Sequence, residues 1–181
     1  MEGSTKYKCS ICGQEHDEWP ALAWDSPFQY NVLTLEDRQA LAALDTDFCV
    51  IKHPNQTDHF IRASLTQKVN GRCEGLNYGL WVSLSKEKFM DYAGKYGNEN
   101  ADIVHYFGWL CNEIPGYDST LSIPMNVTTQ KGNLRPSVEP HHDFDHPFVR
   151  DYYNGIELAE AERRVQELLD VVSKRESDDA E

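Results

Sequence analysis

The chain lacks any apolar run approaching about 18 residues, so no membrane-crossing helix is expected. Its first residues, Met1 to Lys6, form no apolar signal region, and a cytoplasmic location is expected. Basic residues are scarce: 17 Lys and Arg stand against 30 Asp and Glu, a net charge of -13. Such a surface repels phosphate backbones and anionic headgroups, so neither nucleic acid nor a membrane is expected as a partner. A basic protein partner is the one that this charge would attract. Cysteine is also sparse. Of five cysteines only Cys9 and Cys12 are close in sequence, which is not a secreted disulfide framework. The acceptor-like triplets at Asn55 and Asn126 are then accidental. There is no Walker loop, no Gly-x-Gly-x-x-Gly, no His-Glu-x-x-His and no nucleophile elbow.

What is present is enough for one core. The chain has 181 residues, 40% hydrophobic and 11% aromatic. Thr34 reads as the N-cap of a helix running to about Leu44, with Glu36 and Asp37 in its first turn. Phe48–His53 and His59–Leu65 read as strands around a Pro54-Asn55-Gln56-Thr57 turn. Leu80, Val82 and Leu84 alternate on one face of a strand that leads to Ser85, a helix cap. Leu121, Ile123, Met125 and Val127 also alternate, and Pro124 suggests an edge strand or a bulge. Leu158, Ala161, Val165, Leu168 and Val172 form one helical stripe, with Glu160–Arg164 and Asp170–Lys174 paired on its wet side. The expected fold is α+β: an antiparallel or mixed sheet, packed helices and an N-terminal zinc knuckle. Residues 1–175 form a single domain, with the knuckle at 6–16 and an acidic disordered tail at 176–181.

The knuckle is the clearest chemical signal. In Cys9-Ser10-Ile11-Cys12-Gly13 two thiolates can reach one metal ion, and Gly13 permits a tight turn past the second sulfur. His16 is the natural third ligand. The other readings are a thioredoxin-like redox pair, which would need a following helix, and two reduced thiols without metal. A structural Zn2+ site formed by Cys9, Cys12, His16 and Cys49 is expected. Cys73, in a loop, is the second choice for the fourth position, and Cys111 reads as core.

Two further constellations call for weighing. His141, His142, Asp143, Asp145 and His146 could hold a catalytic metal with an open position for water. Flanked by Pro140 and Pro147, they also read as a solvated turn in which Asp145 caps a helix and His146 bonds a strand end. Arg62 could grip a carboxylate or phosphate, or pair with a nearby acid or aromatic ring.

Several segments in order resemble the bacterial family known as domain of unknown function 2199. They are the knuckle with His16, Asp47-Phe48-Cys49-Val50-Ile51, Gly79 to Ser85, Tyr106 to Leu110 with Pro115-Gly116-Tyr117, Asp145-His146-Pro147-Phe148, and Gly155-Ile156. Tyr78 departs from the family's Trp, and His141, His142 and Asp143 are local additions. The resemblance implies domain limits and draws attention to Cys49 and His146, but it implies no reaction. The function expected is therefore a zinc-containing protein-binding module, the alternative being a metal-dependent hydrolase built on His141–His146.

Overall fold

The structure is a computed structural model that describes residues 6–8, 15–17 and 19–178, with side chains over 19–170. In chain order the elements are β1 (Lys6–Lys8), β2 (Glu15–Asp17), β3 (Leu22–Ala23), α1 (Phe28–Asn31), α2 (Leu35–Leu41), β4 (Ala42–Leu44), β5 (Phe48–Lys52), β6 (Thr57–Gln67) and β7 (Leu76–Leu84). There follow α3 (Lys86–Lys95), β8 (His105–Leu110), β9 (Pro124–Thr128), β10 (Ser137–Pro140), α4 (Pro147–Asn154) and α5 (Leu158–Asp178). β1 and β2 pair antiparallel, with Tyr7 opposite His16. The α+β class is as expected, and the sheet is mixed.

Strands β6, β7, β8, β9 and β10 follow one another as antiparallel neighbours, and β10 returns beside β6 in parallel. Five strands thus close into a barrel. Closure rests on Ser64 opposite Ser137, where the Ser64 N–H donates to Pro136 O at 2.9 Å. β6 is long enough to serve two partners along one edge. Its first half carries β5, and its second half carries β10. Gly108 lets β8 approach β7, since a Cβ there would lie 2.8 Å from Ser83 O.

The period of two sorts side chains into two layers. Ile61, Ala63, Leu65, Leu80, Val82, Leu110, Met125, Val127 and Val138 fill the interior. On the other face Phe60 and Trp81 join Cys49, Ile51 and Cys111 under Trp24, Tyr30, Leu33 and Leu41. That outer cover is tied down by polar bonds. The Trp81 indole N–H donates to Trp24 O at 2.9 Å, and Asn112 links the Trp81 N–H to Ser26 O.

Three expectations are corrected. β9 is no edge strand: it pairs with β8 on one side and β10 on the other. Pro124 is tolerated because it is the first residue of the strand. The helix from Thr34 ends at Leu41 rather than Leu44, because Ala42–Leu44 extends to pair with β5. Arg164 is buried, not on a wet face. It donates to Glu160 at 2.8 Å, to the Tyr78 hydroxyl at 3.0 Å and to the Tyr117 hydroxyl at 2.7 Å, so its charge is both paired and hydrogen-bonded. Tyr117 in turn donates to Asp151 of α4.

This network fastens α5 to the barrel. Arg164→Ala should cost roughly 1–3 kcal/mol, because it leaves the buried Tyr78 hydroxyl without its partner and removes the bond to Tyr117, whereas Arg163→Ala, at a half-exposed side chain, should lower the urea midpoint less, since Glu160 keeps its bond from Arg164. Equal effects would contradict the burial of Arg164. The side-chain hydrogen bond from Arg163, aided by Arg164, holds the Glu160 carboxyl at about 2. A folded-state value below the unfolded value of about 4.3 means that the pair's stabilisation is full above that pH and is lost as pH falls toward about 2. Glu160→Gln should therefore flatten the acid limb of a stability–pH curve.

Candidate functional site

The sequence-predicted metal ligands fall in different places. Cys9 and Cys12 lie outside the described residues, and His16 is described only as backbone in β2. Cys49, on β5, is fully buried in the outer apolar layer with Cys111. Burial, with Asp45 and Cys111 nearby, pushes its thiol up to about 12. Cys111 is pushed up to about 12 mainly by burial. Cys73 is exposed. Its neighbour Arg72 lies over the Trp19 ring at 3.7 Å, so Trp19 sits beside the Cys73 loop.

The His141–His146 stretch does not converge. The His141 ring packs edge-on against Phe107 at 5.3 Å. His142 packs on Tyr153 at 4.9 Å, and His146 lies between Phe144 and Tyr117. His146, rather than Asp145, caps α4: its Nδ1 accepts from the Phe148 N–H at 3.1 Å, because Pro147 fixes the first helical position. Asp145 instead pairs with Arg150 at 2.6 Å. No group of three His, Cys, Asp or Glu that could hold a metal ion exists among the described residues.

Arg62 lies on the outer face of β6, opposite Trp81. Desolvation lowers its pKa, and Asp25 stands 3.8 Å from it. Its Nη1 reaches Thr46 O only at 3.5 Å, and its Nε is buried without a hydrogen-bond partner among the described residues. A cavity of about 750 Å³ lies between β3, Tyr78, Ile114 and α5. The Arg164 guanidinium in its wall is already engaged by Glu160, Tyr78 and Tyr117.

The outer face of β8, β9 and β10 carries exposed aromatic side chains. Alternation turns Tyr106, Gly108 and Leu110 inward and His105, Phe107 and Trp109 outward. Phe107 and Trp109 are 47% and 44% exposed, and their rings pack edge to face at 4.8 Å. Two large aromatics so exposed on the outer face of a barrel are a departure from burial, not the ordinary scatter of surface residues. Register places Phe107 beside Asn126, and Asn126 beside Glu139. Both of these outward residues are exposed. Beyond Glu139 stand Tyr152 and Tyr153, whose hydroxyl pKa values rise chiefly through burial and further through the Glu139 charge. The strands β8, β9 and β10 contain no Lys or Arg. Composition could not flag this face, since an aromatic strand reads as core. The strict alternation of His105 to Leu110 was the available signal.

No curated protein and no solved structure is matched by this chain. A family model does match over residues 8–156, that of DUF2199, described as an uncharacterized protein conserved in bacteria. The match spans most of the chain, and the chain belongs to that family.

Proposed function

We propose that this protein is a protein-binding module that engages a basic partner through the outer face of β8, β9 and β10. The observation that carries the reading is the exposed Phe107–Trp109 pair on strands free of Lys and Arg. Interface centres are enriched in aromatic residues of this kind. The net charge of -13 supplies long-range attraction for a basic partner. The hydrolase alternative gains no support, because the three imidazoles each pack against a different aromatic group.

The test compares the wild-type chain with a Phe107→Ser/Trp109→Ser variant in extracts of the native host. Basic proteins should be retained by the wild type at low salt and released at high salt, since exposed charges are screened within about 10 Å at 0.1 M. The variant should lose them. Retention of the same proteins by the variant would contradict the reading.

The module also carries, in this proposal, one structural Zn2+ on Cys9, Cys12 and His16. Cys73 takes the fourth position ahead of Cys49, because the Trp19–Arg72 contact places Trp19, close in sequence to His16, beside the Cys73 loop. Cys49 lies sealed beneath Trp24, Tyr30 and Leu41. Elemental analysis should find about one zinc per chain. Cys9→Ser and Cys73→Ser should release it and lower the melting temperature, because metal binding is part of the folding free energy. Cys49→Ser should keep it. Zinc-free folded protein, or zinc lost only from Cys49→Ser, would overturn the assignment.

A further inference from the structure

The outer face has a chemistry specific enough to name what it recognises. Three exposed side chains stand in one cross-strand row: Phe107 on β8, Asn126 on β9 and Glu139 on β10. Trp109, two residues along β8, widens the aromatic end of the row. Adjacent strands are about 4.8 Å apart, so the aromatic pair and the carboxylate are separated by about 10 Å at the backbone. The short amide of Asn126 lies between the longer aromatic and carboxylate side chains. The row thus offers aromatic rings, an amide oxygen and a carboxylate side by side, with the His141 ring packed against Phe107 at its end.

We infer that this row recognises an arginine side chain on the basic partner, a proposal that rests on the binding-module reading above. A guanidinium is planar and weakly hydrated, so it can lie on the Trp109 or Phe107 ring while its remaining N–H groups donate to Glu139 and to the Asn126 amide oxygen. Lysine offers a strongly hydrated point charge with no planar face, and so makes poorer use of the same row. The charges around the row favour a cation. The strands contribute Glu139 and no Lys or Arg. From the flanking loop come His141, His142, Asp143 and Asp145, and Asp145 is paired with Arg150. From α4, Tyr152 and Tyr153 face Glu139 without adding positive charge.

The test uses the full chain labelled with 15N and three probes: the N-acetyl amides of arginine, lysine and citrulline. The Trp109 indole N–H signal, identified by its absence in Trp109→Phe, is followed through each titration. The arginine probe should give a saturable shift at millimolar concentration, as expected of so few atoms. Lysine should bind about two- to fivefold more weakly, the scale of a cation–π preference of about 0.5–1 kcal/mol at an exposed site. Citrulline, which keeps the shape and loses the charge, should not saturate. Glu139→Gln, an exposed change that should leave the rest of the spectrum in place, should abolish the arginine response. A linear shift, equal responses to arginine and lysine, or an unaltered response in Glu139→Gln would each overturn the inference. The two proposals fail separately. If basic host proteins still depend on Phe107 and Trp109 while the arginine probe gives no saturable shift, only the arginine assignment falls.

Discussion

The architecture turns on the closure of β6 against β10, a single parallel bridge held by the Ser64 N–H and Pro136 O. Closure gives every barrel strand two neighbours and satisfies backbone groups that an open sheet would leave at an edge. It also fixes which side chains face inward, since one residue of slippage would exchange the two faces of each strand. Met125 and Val127 are buried, and Asn126 exposed, because β9 is locked between β8 and β10. Phe107 and Trp109 must then face outward for the same reason that Tyr106 and Leu110 face inward.

The outside of the barrel is treated unequally. Over β5, β6 and β7 it is roofed by Trp24, Tyr30, Leu33 and Leu41, which seal Cys49, Phe60, Trp81 and Cys111. The Trp81 indole and the Asn112 amide bind that roof to the sheet, so apolar burial and polar satisfaction reinforce each other. Over β8, β9 and β10 no such roof stands among the described residues, although Phe107 and Trp109 have the bulk to hold one. The contrast within one barrel is the physical ground for reading the open half as a surface that a partner covers.

Much of the fold was legible because strands announce themselves by alternation. Leu80, Val82 and Leu84, the Ser85 cap, and the stripe of Ala161 and Val165 follow from local pattern alone. What local pattern could not show was long-range pairing. Pro124 looked like an edge marker because nothing in sequence reveals that β10 pairs along the second side of its strand. Arg164 looked like a solvent-facing member of an i,i+4 pair because its tyrosine partners lie far along the chain, at Tyr78 and Tyr117. The histidine run failed for a related reason. Six adjacent residues on an irregular segment point in different directions, and each ring found its own aromatic neighbour. Arg62 pairs with a nearby acid as expected, Asp25 at 3.8 Å, while its Nε is buried without a hydrogen-bond partner among the described residues.

The central claim is that the open half of the barrel is where a basic partner docks. Its most direct test is an amide 15N–1H titration of the full chain with a short arginine-rich peptide of defined sequence. The account predicts that the perturbed signals cluster on residues 105–110, 124–128 and 137–146, and that the roofed strands β5 and β6 stay unmoved. Perturbations centred instead on the acidic exposed side of α5, or spread evenly over the surface, would contradict it.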